Sequence, residues 1–350
     1  MPIATGLVQA ALPSLAYTPD GTAHAMWESN GGLYYAYQTP NRPWSKSVRV
    51  AAGLSPSMVV NQAGTLEALF ANQFAGNYEI YHIRRRGGKW SLPVNVSHTS
   101  GYSGRPVLAA AEDGTLHAAW MDNTPGFWII YYGTWAGTFW SSQPVPNARG
   151  QVPSLAASPA GTIFLGWQDK VPTKANPNGE YDVLVSELTA GIWTLPSNVS
   201  DSPGVDSLGV SVTAPQDEAA HTTWVEQSER IQYSYGRDIY WSEPQLVCQV
   251  SSPAHTPRII ADTRGYLNIA WDQTETIWMT RANPWPAGWP TPIIVASLTG
   301  SLRDVTMALP PAGGPTIGWV QASGPGEYGV YSAWQGSAVV QRVWLPVLMR

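Results

Sequence analysis

The chain has 350 residues, of which only 12% are charged, with 18 Trp, 33 Gly and 30 Pro. That mix argues against a helical protein and describes many short strands joined by tight turns. A net charge of -5, with four Lys against 15 Arg, leaves no basic stripe to neutralise phosphates and argues against nucleic acid as a partner.

The first stretch, "MPIATGLVQAALPSLA", has neither a basic n-region nor a long apolar core and does not read as a signal peptide. Further along, no run is long enough to span a membrane, so no membrane insertion is expected. The first ordered pattern is "PSLAYTPDGTAHAMWE" at 13–28: a Pro-started apolar strand, a turn with Gly, and a second strand closing on Trp. It returns as "RPVLAAAEDGTLHAAWMD" at 105–122 and "PSLAASPAGTIFLGWQD" at 153–169. Aligned on its first position, the unit starts at Pro13, Pro56, Pro106, Pro153, Leu208, Pro257 and Arg303. The aromatic closing its second strand is Trp27, Phe70, Trp120, Trp167, Trp224, Trp271 and Trp319. A third landmark follows in six units: Trp44, Trp90, Trp140, Trp193, Trp241 and Trp289.

The second unit shows the internal plan. Ser57–Val60 and Leu66–Ala71 read as strands, followed by the alternating "YEIYHIR" from Tyr78 to Arg84 and a last strand from Trp90 to Val96, with turns at "QAG", "FAGN" and "RRGG". Arg84-Arg85-Arg86, the one basic cluster, reads as a solvated turn before Gly87 and Gly88. Unit four carries the longest insert, "QDKVPTKANPNGEYD" at 168–182, with Lys170 and Lys174. Long loops on a rigid scaffold often carry function. Cys248 is the only cysteine, so there is no internal disulfide and no Cys-based metal site. In "NPWPAGWP" at 283–290, Trp289 is the repeat landmark and Trp285 is spare.

A period of 43 to 55 residues with four strands per unit is the signature of a β-propeller blade. The expected fold is all-β: one domain over 1–350, a seven-bladed β-propeller of four-stranded antiparallel blades beginning near 13, 56, 106, 153, 208, 257 and 303. The tryptophans would fill the space between neighbouring sheets. "PIAT" at 2–5 precedes the first unit and resembles the tail of a fourth strand, so it is a candidate to close the seventh blade. "AVVQRVWLPVLM" at 338–349 is the other candidate. Closure by terminal strands is expected because an open strand edge invites aggregation.

The pattern "DGTLHAAW…YY…GGKWSLPVNVS" resembles the sialidase-like propellers with bacterial-neuraminidase repeats. The family's Asp box, Ser/Thr-x-Asp-x-Gly-x-x-Trp, is degenerate here. Before Trp90 the Gly survives as Gly87 but Arg85 stands at the Asp position; before Trp140, Gly137 survives and Trp135 replaces the Asp. The resemblance implies a fold shared by sialidases, other glycosidases, polysaccharide lyases and lectins. Sialidases have six blades, three arginines that hold a carboxylate, and a Tyr–Glu nucleophile pair. Arg105, Arg258 and Arg303 sit where units three, six and seven begin, but no matching Tyr–Glu pair can be placed.

The ends of the second strands and the starts of the first strands share one face of the disc. They place Asp122, Asp169, Glu226 and Asp272 beside Arg105, Arg258 and Arg303, a polar ring suited to hydroxyl-rich ligands. These seven are the candidate ligand-binding residues, all expected to face solvent because charges are seldom buried without partners. His24, His117 and His221 share one slot, three residues before the strand-two Trp. Spread over separate blades, they are expected to hydrogen-bond within each blade, and no zinc spacing is present. No metal and no cofactor is expected.

The expected function is a non-catalytic, extracellular or cell-surface binding module for glycans or a surface protein. A glycosidase or lyase using rim carboxylates is the alternative, and a structural scaffold is a second one.

Overall fold

Each repeat folds as four antiparallel strands, and the seven sheets stand side by side around a central channel as a seven-bladed β-propeller. The computed structural model describes residues 1–74, 76–172, 176–215, 218–283, 285–297, 299–324 and 326–334, and no helix occurs among them. The innermost strands are Ala11–Tyr17, Leu54–Val60, Ser103–Ala110, Gln151–Ala157, Ser207–Thr213, Arg258–Ala261 and Leu302–Ala308. In blade 2 the expected second strand is observed as Leu66–Asn72 and the third as Glu79–Arg86. The fourth is two short pieces, Lys89–Trp90 and Val94–Asn95.

Blade 7 is completed by the beginning of the chain. Pro2–Leu7 pairs antiparallel with Glu327–Trp334, with Ala4 opposite Val330. The Met1 amino group also bonds the Ser332 carbonyl. This is the closure read from "PIAT"; the other candidate, 338–349, lies outside the described residues.

The repeat's aromatics do the packing. Trp27, Trp120, Trp167, Trp224 and Trp271 are fully buried, as is Phe70, and Trp319 is 3% exposed. Each lies in a core shared with the preceding blade. Trp120, for example, packs with Leu69 and Ile80 of blade 2, and Trp271 with Val225 and Ile231 of blade 5. The later landmark tryptophans reach back the same way: Trp90 meets Tyr35 edge-on at 5.2 Å, and Trp193 meets Tyr132 likewise. Seven seams are thereby filled by one kind of contact. The shared histidine slot behaves as expected. His24 Nδ1 lies 2.7 Å from Tyr35 Oη, and the pairs His117–Tyr132 and His221–Tyr233 repeat this at 2.6 Å.

Candidate functional site

Six of the seven inner strands begin with a bulge. In blade 1 the register slips between Ala11 and Ser14, and the same slip occurs in blades 2, 3, 4, 5 and 7. The extra residue takes a left-handed backbone at Leu12, Ser55, Arg105, Val152, Gly209 and Asp304. A bulky or β-branched residue there is strained, and Leu12 and Val152 accept that strain. Such strain persists only where its surroundings enforce it. The preceding blade supplies part of the enforcement. Ser55 N–H donates to Glu28 Oε2, Leu12 N–H to Asp304 Oδ2 at 3.2 Å, and Gly209 N–H to Gln168 Oε1 at 3.0 Å. One step deeper, Ser14, Ser57, Ser154 and Ser211 accept backbone N–H groups of the next blade at 2.9–3.2 Å.

These strand starts enclose a cavity of about 300 Å³ at the axis, lined by residues from all seven blades, among them Arg105, Arg258, Asp304, Ser55 and Thr306. Arg105 is exposed and Arg258 half-buried, and neither guanidinium has a hydrogen-bond or ion-pair partner among the described residues. Burial pulls the Arg258 guanidinium below its ordinary value, opposed by the carboxylates of Asp304 and Asp272. It stays charged, because an arginine does not lose its proton in a protein. Burial raises the Glu28 carboxyl, the Ser55 N–H pulls it back, and nearby Asp304 raises it again. Close to Arg105, Tyr102 packs at a tilt against Tyr78 at 5.0 Å and meets Trp128 edge-on at 5.6 Å, which adds an aromatic surface.

The seven residues expected on the rim separate into distinct environments. Arg105 and Arg258 line the channel, but not in equivalent places: Arg105 occupies the bulge itself, whereas Arg258 occupies the register slot of Ser14. Arg303 lies one residue before its bulge and is pinned, donating to the Ala10 carbonyl at 2.9 Å with its guanidinium 4.9 Å over Tyr328. Asp169 is half-buried on the extended hairpin of blade 4, opposite Asp182, with burial raising its carboxyl. Lys170 there caps Tyr181, and Lys174 lies outside the described residues.

Three of the acids are not solvent-facing as expected. Asp122 and Asp272 are fully buried and Glu226 is 3% exposed. A blade meets a neighbour on each side, so a strand end that looks like a rim in sequence still faces a seam. Local donors make that burial tolerable. Asp122 accepts from Thr99 and Ser103, Asp272 pairs with His255 at 2.7 Å, and Glu226 takes Ser202, Gln232 and Arg230.

The basic cluster is also not a solvated turn. Arg84 and Arg85 belong to the third strand of blade 2, where successive side chains point to opposite faces. Arg84 turns toward blade 3, over Trp135 at 4.8 Å, and Arg85 toward blade 1, over Tyr35 at 5.2 Å. The alternation of "YEIYHIR" carried that signal one residue short of Arg85.

No family model matches the chain, and no curated protein matches it. Among solved structures, an ulvan lyase from a new family of polysaccharide lyases, bound to -[GlcA(1-4)Rha3S]-, superposes with a TM-score of 0.69 at 10% identity, covering 95% of both chains. The Aleuria aurantia lectin, described as a six-bladed β-propeller with a novel fucose recognition mode, gives 0.53 at 12% identity over 84% of this chain and 97% of its own. A Hadza microbial sialidase gives 0.53 at 11% identity over 91% of this chain and 75% of its own. At these identities the likeness is one of fold: this chain shares its architecture with propeller lectins and with enzymes acting on polysaccharides.

Proposed function

We propose that this chain is a glycan-binding propeller of the sialidase-like superfamily, non-catalytic and placed outside the cell, and that an acidic sugar enters the channel mouth. The observation that carries this reading is the convergence of Arg105 and Arg258 on a concave opening, neither with an ion-pair partner among the described residues. Guanidinium forks match carboxylate or sulfate oxygens two at a time. Serine hydroxyls around the channel and the Tyr102 surface suit the remaining hydroxyls and ring faces of a sugar. The carboxylates at Asp122, Asp272 and Glu226 are engaged in buried hydrogen bonds, which removes them from a paired-acid mechanism on the rim.

The test is titration of the whole chain with uronate-containing and sulfated oligosaccharides, repeated on Arg105→Ala/Arg258→Ala. Loss of binding in the double variant supports the reading. Binding unchanged, or absent from the parent, overturns it.

A lyase is the second reading, favoured by one observation: Glu28, whose carboxyl burial raises, holds the N–H of Ser55, and Ser55 lines the channel with Arg105 and Asp304. A proton-abstracting base beside cations that neutralise a uronate is the requirement for that chemistry. Release of unsaturated uronate by the parent and not by Glu28→Gln would establish it.

A further inference from the structure

On the opposite face, where the first strand turns into the second, a cleft of about 530 Å³ opens between blades 1 and 2. Its walls are Thr18, Asp20, His24, Tyr37, Thr39 and Arg85, with the turn at Gly64 closing one side. Tyr37 is 40% exposed. Arg85 lies over two rings, 5.2 Å from the centre of Tyr35 and 5.7 Å from that of Tyr37, and has no hydrogen-bond or ion-pair partner among the described residues. A guanidinium stacked on a ring keeps its in-plane N–H donors free to point outward. Asp20 is exposed, and hydrogen bonds from Thr18 and Thr22 hold its carboxyl below the usual range, so it is an anion. His24 is spoken for on both nitrogens, by Tyr35 and Thr18, and burial and Arg85 push it down to about 4, so it is neutral. The cleft thus presents one fixed donor fork, one fixed acceptor and an aromatic face, with no excess charge between them.

The seam between blades 5 and 6 shows what such a platform accepts. His24 stands opposite Tyr37 in register, and His221 stands opposite Tyr235 in the same way. There the chain places a ring of its own on the platform: Trp285 meets Tyr235 edge-on at 4.4 Å and His221 at 5.3 Å. Between blades 3 and 4 the residue opposite His117 is Thr134, and no platform exists. Blade 2 joins its third and fourth strands through Gly87 and Gly88 and, among the described residues, places no ring over Tyr37.

We propose that the cleft between blades 1 and 2 is a second binding site, distinct from the channel, for a neutral pyranose ring that lies against Tyr37 with its hydroxyls bridged between Arg85 and Asp20. A polyhydroxylated ring offers both donors and acceptors to that pair, and an apolar ring face to the tyrosine. The volume is within the range of small-molecule sites.

The experiment is saturation-transfer NMR and calorimetric titration of the full chain with methyl glycosides of glucose, galactose, mannose, fucose and xylose. At least one is expected to bind. Arg85→Ala, Asp20→Asn and Tyr37→Ala should each weaken it about tenfold or more, Arg85→Lys should not restore it, and Arg105→Ala/Arg258→Ala should leave it unchanged. Should Arg85→Ala melt early, the exposed Asp20→Asn decides alone. Three results each overturn the proposal: no neutral glycoside binds the parent, affinity is unaltered in Asp20→Asn, or binding is lost with the channel arginines. Loss of acidic-glycan binding in the channel variants, with neutral binding intact, separates the fate of this site from that of the other.

Discussion

The seams between blades and the wall of the channel are built by the same repeat, yet they treat it in opposite ways. At the seams one position is aromatic in every blade, Trp in six and Phe70 in the second, and all seven rings are buried. At the channel the bulge position reads Leu12, Ser55, Arg105, Val152, Gly209 and Asp304, six different residues in six blades. Stability needs the same volume filled seven times, so the seam repeats. A ligand is not seven-fold symmetric, so a wall that recognises one has to break the repeat. In the channel the breaks are the charges, on blades 3, 6 and 7.

The strongest way to sharpen this contrast is to empty a seam. Trp224→Ala removes a fully buried ring from between blades 4 and 5 and should cost about 3–5 kcal/mol, read as a lowered melting temperature. Next in size is the closing strand. Deleting residues 1–8 exposes the edge of Glu327–Trp334 and removes the buried Ile3, for roughly 3 kcal/mol. A melt equal to that of the parent would show that the ring holds without this strand.

Acid should act on the blades through two of the repeated histidines. His24 and His117 are pushed down to about 4, chiefly by burial, so the folded state disfavours their protonated forms. Their contribution is complete above the unfolded value of about 6.5 and is lost as pH falls through the window down to about 4, on the order of 1–3 kcal/mol for each. His24→Asn/His117→Asn should flatten the dependence of melting temperature on pH across that window. His255 has the opposite sign. Asp272 raises it, so its smaller, solvent-screened contribution is present below about 6.5 and fades as pH rises through its folded value.

The smallest stability effect belongs to the channel. Arg258→Met removes a desolvated charge that has no ion-pair partner among the described residues, and should leave the melting temperature unchanged or raise it slightly while weakening acidic-glycan binding. A large destabilisation would place Arg258 with the seam residues and dissolve the contrast.

The architecture was legible because its signals are local and repeated: a Trp at a fixed place in strand two, a turn before it, and seven copies. "PIAT" was legible as a strand without a blade for the same reason. The site was legible only in part. Arg105 and Arg258 follow from their places beside strand-one starts, but which arginine reaches the axis depends on a bulge. That bulge has no signature in Leu12, Val152 or Ser55 that a reader of residues would find. Asp122 and Glu226 each lie two residues beyond the strand-two Trp, on the face that already carries it into a seam. Counting that period would have removed them from the rim; Asp272, one residue beyond Trp271, needed the contact with His255. The cleft at Tyr37 and Arg85 joins two blades, and nothing within either repeat announces the pairing.

The strand Pro2–Leu7 also sets a timetable for synthesis. Its partner, Glu327–Trp334, is made only after the intervening blades, so this strand waits for them before it can pair. Bringing ends 331 residues apart together carries a loop-closure cost of roughly 5 kcal/mol, against about 1 kcal/mol for a tight hairpin. Six blades can form in order behind it, each on its predecessor, while the seventh remains open with a bare edge on both sides of the gap. A circular permutant that joins the present ends through a flexible linker and opens between blades 3 and 4, near Gly150, would make blade 7 from contiguous chain. It should refold faster and aggregate less during refolding than the parent.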